Sequence, residues 1–253
     1  PCRLGSLNSE TEYLLKRFGF EAPLHLQDAR MKLSEIEMDA PVAITPDTTI
    51  YEAMQIMQEH NCAYCGVVDT AQHLLGMVTK SDISVVGLDD TARSIDILAH
   101  TSCENIRKTI NGAIIYDDPQ VAINGKVSII AMTRPERLEH YEVEKRIVIV
   151  GADTMAQKKC IQLGAGMLIV VWADTVADEV IEEARVHHCP ILLSGHGTMN
   201  TSRYLYFAPS VERIMKKNPV CFHTNELTED VGVKMLRNRY RTYPVLDANE
   251  QLV

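Results

Sequence analysis

Thr79, Lys80 and Asp82 are the residues whose types and spacing could do chemistry. They close the stretch Leu74-Leu75-Gly76-Met77-Val78-Thr79-Lys80-Ser81-Asp82-Ile83, in which an apolar run expected as a strand turns into a helix start. Thr79 and Ser81 are candidate caps, and Asp82 falls in the first helical turn. A helix start offers unpaired N–H groups and a positive dipole end. Thr79 could hold a phosphate with its hydroxyl and backbone, while Asp82, acceptor-only when ionised, could take two hydroxyls of a ribose. Taken alone, the same residues favour a plainer reading, a capped helix beneath a buried strand.

A repeat changes that balance. Pro219-Val220 follows Pro41-Val42 at an offset of 178 positions, and the same offset places Phe222 on Ile44, Val231 on Ala53, Met235 on Met57, and Pro244-Val245-Leu246-Asp247 on Gly66-Val67-Val68-Asp69. Each copy is expected to be a short strand, a helix, and a second strand closed by Asp. Val253 falls on Leu75, so the counterpart of the Thr79 turn lies beyond the second copy's last residue.

Both copies resemble CBS domains, paired modules that bind adenine nucleotides. The first carries the family pattern from Pro41 through Gly76-Met77-Val78-Thr79-Lys80-Ser81-Asp82, with Cys62-Ala63-Tyr64-Cys65-Gly66 where the family has a small residue, Pro and Val. The resemblance implies that Thr79 and Asp82 contact phosphate and ribose, beside Lys80, with the adenine near Val42 and Cys65. In the second copy the corresponding positions are Val220, Arg241, Thr242 and Tyr243.

The whole chain sets bounds. At 253 residues with 46% hydrophobic content it is long enough for one large domain or two to three small ones. A net charge of −9 argues against a general nucleic-acid or anionic-membrane surface. There is no apolar run long enough for a membrane span and no signal-peptide pattern, which makes the cytoplasm the expected location. Seven cysteines do not form a disulfide framework and are expected reduced. The chain begins at Pro1 without Met and ends at Val253, which reads as a piece of something longer.

Residues 1–35 open with Arg3-Leu4-Gly5-Ser6-Leu7-Asn8-Ser9-Glu10-Thr11-Glu12. Ser9 and Glu12 predict a capping box for a short helix carrying Leu14, Leu15 and Phe18, stopped by Gly19. The order Leu-Gly-x-Leu-Asn-x-Glu-Thr, followed by a helix and Phe20-Glu21-Ala22-Pro23, resembles family II inorganic pyrophosphatases where their DHH domain in some members receives a regulatory insertion. That family's His/Asp metal motifs are not found in the sequence. Manganese, cobalt or magnesium would then belong only to a catalytic domain outside these residues.

Residues 36–90 are the first CBS copy. Ile50, Ala53, Met54 and Met57 make one apolar face of a helix from Thr49 to His60. Cys62 and Cys65 form a C-x-x-C, which raises a thiol or metal sensor, but no second pair completes four ligands and a structural role is the reading favoured.

Residues 91–214 alternate strands and helices: a run Arg146–Val150, a helix after Gly151-Ala152-Asp153 ending near Gly164, a run Met167–Val171, a helix Val176–Val186, and a run Ile191–Leu193. That order predicts parallel βαβ units, with ligand loops at the strands' carboxyl ends. Two loops qualify, Gly151-Ala152-Asp153-Thr154 and Ser194-Gly195-His196-Gly197-Thr198, although neither is a complete phosphate motif. The segment resembles the DRTGG domain found between CBS copies in some of those pyrophosphatases, with Val150-Gly151-Ala152-Asp153 at the position of its tetrad. The resemblance implies a dimer-forming spacer. An enzyme using His196 or Asp153 as acid or base stays open as an alternative. His187-His188-Cys189 with His196 suggests zinc, but adjacent histidines in a strand would face opposite ways.

Residues 215–253 are the second CBS copy, incomplete at its end. Arg237, Arg239 and Arg241 with Tyr240 and Tyr243 precede its second strand, where Arg suits phosphate and a Tyr ring can stack on adenine. The expected whole is α/β, with α+β CBS domains flanking a βαβ DRTGG-like domain: an adenine-nucleotide-sensing regulatory region, a homodimer without nucleic-acid or membrane partners. By resemblance AMP or ADP inhibits an attached pyrophosphatase and ATP or a diadenosine polyphosphate activates it. No catalytic constellation is complete in these residues.

Overall fold

The structure, a computed structural model, describes residues 2–25, 30–88, 91–131, 135–238 and 240–253. It divides into two units, Pro1–Ala40 with Val220–Val253, and Pro41–Pro219. In the first unit, β1 (Cys2–Arg3) pairs in parallel with β2 (Leu24–His25), and α1 (Ser9–Phe18) lies between them in sequence. The capping box expected of Ser9 and Glu12 is replaced by a cap one residue earlier. Asn8 accepts the Thr11 N–H at 2.7 Å, and Ser9 is already helical. Asn caps a helix as well as Ser does, so residue type alone could not choose between neighbours. Gly19 ends the helix at φ 69°, as expected.

The larger unit begins with the first copy. β3 (Ala43–Ile44) runs parallel to β4 (Tyr64–Val68), which turns back antiparallel into β5 (Leu74–Thr79). Between β3 and β4, α2 (Ile50–Glu59) forms because Thr49 and Glu52 close a reciprocal capping box and Ile50, Ala53 and Met57 share one buried face. Thr49 and His60, expected inside this helix, are its caps. After β5 come α3 (Lys80–Leu88), α4 (Thr91–Ala99) and α5 (Cys103–Thr109).

A second sheet follows, made of β6 (Ala113–Tyr116), β7 (Val127–Ile130), β8 (Ile147–Val150), β9 (Met167–Val170) and β10 (Ile191–Leu193), in the spatial order β6-β10-β9-β8-β7. The four strands β7 to β10 are parallel, and β6 joins β10 antiparallel. The helices are α6 (Thr154–Gln162), α7 (Asp178–Val186) and α8 (Thr198–Leu205). Every residue of β8 and β9 is buried, because helices cover both faces. Val148, Val150, Leu168, Val170 and Ile191 pack with Ala156, Cys160, Ile161, Val180 and Ala184 of α6 and α7. Ile147, Ile149, Met167, Ile169 and Leu192 pack with Ile106 of α5 and Leu205 of α8. The period-2 alternation thus feeds two cores.

The unit closes through β11 (Lys216–Lys217), an edge strand antiparallel to β5. The chain arriving from α8 caps the first copy, since Pro209 and Phe207 carbonyls accept the Ile50 and Tyr51 N–H groups at 2.9 Å each. Tyr51 of α2 also packs on Tyr204 of α8, ring centroids 5.2 Å apart, and His196 packs edge-on against Tyr204 at 4.9 Å.

In the first unit the second copy supplies β12 (Phe222–His223), α9 (Thr228–Asn238) and β13 (Val245–Leu246). β12 pairs parallel with β13 through Phe222 and Val245, at the repeat's offset from the Ile44–Val67 pair. The turns after the second strands also repeat. Asp69 Oδ1 accepts the Ala71 and His73 N–H groups, and Asp247 Oδ1 accepts those of Asn249 and Gln251. Gln72 and Glu250 are the left-handed residues of the two turns, at φ 69° and 62°.

Candidate nucleotide site

β5 ends and α3 begins at Thr79, so the turn is built by strand and helix together. Thr79 N–H and Oγ–H both donate to Asp82 Oδ2, at 2.8 and 2.7 Å, and Thr79 Oγ accepts the Asp82 N–H at 3.2 Å. This reciprocal pair satisfies helix-start donors that otherwise stay open. The Lys80 N–H goes to the Ala63 carbonyl at 3.0 Å, which fastens the turn to the approach of β4. Asp82 Oδ1, the Ser81 N–H and the Lys80 ammonium have no partner among the described residues. Thr79 and Asp82 are half-buried and Lys80 is exposed, so a ligand reaches all three. Asp82 Oδ1 is free for ribose hydroxyls, whereas a phosphate that takes the Thr79 hydroxyl must draw it away from Asp82.

Val42 and Cys65 flank the same sheet. The carbonyl of the half-buried Val42 accepts the Gly66 N–H at 2.9 Å, and Cys65 is fully buried in β4. Burial first, and then the neighbouring Cys62 thiol, pushes the Cys65 thiol up to about 12. It is a neutral packing group near neutral pH, where a sensor thiol would need thiolate character. Sequence reasoning missed β11, a two-residue strand with no periodic signal. Its exposed Lys216 and Lys217 pair with Met77 and Gly76, within about 10 Å of Thr79 along the strand. Lysines commonly guard such an edge.

The second-copy residues lie in the other unit. Val220 is exposed, as is Arg241. Thr242 and Tyr243 are half-buried. The Tyr243 ring packs on Phe222 at 5.0 Å, and its hydroxyl accepts the Tyr240 N–H and donates to the Met235 carbonyl. Its ring and hydroxyl are therefore engaged in closing α9 over that unit's core. Arg237 is in the last turn of α9, and Arg239 lies outside the described residues.

The histidines of the middle domain do not sit in a strand, which corrects the premise from sequence. His187 caps α7, and His188 turns the chain at φ 52°. His188 Nδ1 meets Asp118 Oδ2 at 3.0 Å, across 70 positions of sequence. The Tyr116 hydroxyl, then the Gln120 N–H and His188, hold the Asp118 carboxyl below the usual carboxylate range. A depressed folded value means stability that is complete above the unfolded value near 3.9 and lost as pH falls through the folded one. Asp118→Asn is expected to flatten the decline of the urea midpoint in that acid window. An unchanged acid slope would show that Asp118 is not a linked group.

Asp153 caps α6 by accepting the Ala156 N–H at 2.7 Å. No hydrogen bond joins it to His196 among the described residues. Among those residues no three His, Cys, Asp or Glu side chains converge as metal ligands. No helix is long and apolar enough to cross a membrane, again among the described residues.

The CBS domain family matches residues 33–88 and 211–253, and the DRTGG domain family matches residues 105–207. The chain is 33% identical over 255 residues to the cobalt-dependent inorganic pyrophosphatase of Clostridium perfringens, and 24% identical over 253 residues to the probable manganese-dependent inorganic pyrophosphatase of Thermotoga maritima. Each match takes in 100% of this chain and 46% of the relative, so the chain spans about half the length of these relatives. Among solved structures it matches the CBS and DRTGG domains of the regulatory region of Clostridium perfringens pyrophosphatase, complexed with its activator diadenosine tetraphosphate. There the identity is 31% and the TM-score 0.78, over 88% of this chain and 98% of that one. The cobalt and manganese in the relatives' names find no ligand set among the residues described here.

Proposed function

The chain belongs to the family of CBS–DRTGG regulatory regions of inorganic pyrophosphatases, and from that premise we propose that it senses adenine nucleotides and sets the output of an attached pyrophosphatase. AMP or ADP lowers that output, and ATP or a diadenosine polyphosphate raises it. The observation that carries the reading is the Thr79–Asp82 pair, locked at a helix start with Asp82 Oδ1 and the Ser81 N–H left open. Lys80, Lys216 and Lys217 supply positive charge for phosphates, which favours ligands by phosphate number. A nucleotide shifts the region between states only through different affinity for each, so inhibitor and activator must prefer different arrangements, here of a homodimer.

Calorimetric titration with AMP, ATP and diadenosine tetraphosphate tests the proposal, beside Asp82→Ala and Asp82→Asn. Binding on the order of micromolar is expected for at least one ligand. Loss of a charge-assisted hydrogen bond should weaken it about 10- to 100-fold in Asp82→Ala. Asp82→Asn, which keeps an acceptor for Thr79, separates that loss from the loss of the cap. Absence of binding by all three ligands, or affinity unchanged in both variants, would sink the reading.

A further inference from the structure

The middle domain carries a second concavity, away from the Thr79 turn and unused by the proposal above. At the carboxyl edge of its parallel strands, β8 and β9 lead to α6 and α7 on one face of the sheet, whereas β10 leads to α8 on the other. Strands that send their connections to opposite faces leave a crevice at that edge, the usual ligand position in such sheets. Here it is a cavity of about 290 Å³, at the small end for small-molecule sites, and its lining includes Gly151, Ala152, Asp153, Val171, Trp172 and Thr198. The two loops singled out from sequence therefore meet at one place.

Trp172 is the only tryptophan in the chain. It is 74% exposed and sits at φ 59°, a backbone region that a bulky residue seldom occupies. Its indole lies over Gly197, where a Cβ would stand 2.3 Å from the ring. Backbone strain and a missing side chain together hold a flat aromatic face at the crevice. Met155 and Met199, 65% and 74% exposed, stand in the first turns of α6 and α8. Asp153 uses Oδ1 on the Ala156 N–H, and its Oδ2 takes no hydrogen bond among the described residues. Among the described residues neither Lys nor Arg lines the cavity, so a phosphate there would meet the Asp153 carboxylate without a compensating cation from them.

We propose that this crevice binds a nucleoside-type ligand, its base stacked on Trp172 and its hydroxyl or amino donors on the Asp153 carboxylate. The pairing of an indole face with one acceptor-only group selects an uncharged aromatic molecule that carries donors. It thereby discriminates against the phosphorylated ligands suited to the Thr79 turn.

Fluorescence of the single tryptophan reads the site directly. The 253-residue chain is titrated with adenosine, guanosine, cytidine and uridine, and with their 5′-monophosphates. Saturable quenching by at least one nucleoside is expected, weakened roughly tenfold or more by a 5′-phosphate and by Asp153→Asn, and retained in Asp82→Asn. Asn still caps α6, so thermal melting of Asp153→Asn verifies its fold. The proposal is overturned by the absence of a saturable change with all four nucleosides. It is also overturned if the change disappears in Asp82→Asn, which would assign it to the other site. Emission that follows protein concentration alone would show a second copy covering the indole, and would equally overturn it.

Discussion

Gly125→Ala is expected to lower stability by about 3 kcal/mol, the sum of two independent costs. Gly125 stands at φ +72°, where an L side chain is strained, and an added Cβ would lie 1.8 Å from the Ile95 carbonyl oxygen and 2.8 Å from the Ala99 nitrogen. Both are backbone atoms of α4, so no rotamer change relieves the contact. Helix α4 cannot step aside cheaply either, because Ile97 and Leu98 are buried on different sides of it, in the first CBS copy's core and the middle domain's core. The Ser94 hydroxyl also donates to the Val86 carbonyl of α3, the helix that starts at the Thr79 turn. A strained Gly125 loop would therefore loosen the support of Asp82. Urea unfolding should show a lower midpoint at unchanged slope, with nucleotide affinity reduced in parallel. A loss below about 1 kcal/mol would mean that α4 shifts without cost.

Much of this architecture is legible because repetition and alternation are properties of sequence. The offset that aligns Pro41 with Pro219 returns in the structure as equal strand register, equal Asp-closed turns and equal left-handed residues at Gln72 and Glu250. The run Ile147–Val150 reads as a strand by its unbroken β-branched composition, and it is one, buried at every residue. Other features depend on partners that a linear reading does not bring together. β6 and β7 are four-residue runs, too short for periodicity to separate strand from helix. Asp118 and His188 meet only because β6 adds to β10 antiparallel. At the turn from β5 into α3 the residue types were readable, but the mutual hydrogen bonding of Thr79 and Asp82 was not. Trp172 carried no signal at all, since its position depends on a backbone angle and on the glycine that faces it.

Within one strand, two isoleucine truncations should differ by how their voids connect to the crevice. Ile147 and Ile149 are both fully buried in β8 and belong to the same core, with Met167, Ile169, Leu192 and Leu205. Removing either side chain to Ala is expected to cost about 2–5 kcal/mol, from lost transfer energy and from the space left behind. Ile149 also lines the crevice, whereas Ile147 does not. The void from Ile149→Ala opens into a cavity that water or a small ligand can enter, which places its cost in the lower part of that range. The void from Ile147→Ala is closed by core neighbours and belongs in the upper part. Chemical denaturation of the two variants measures the difference, expected to be about 1 kcal/mol. Equal costs would show that Ile149 is sealed from the crevice. A larger cost for Ile149→Ala would mean that the floor of the crevice, and with it the seat of Trp172, depends on that side chain.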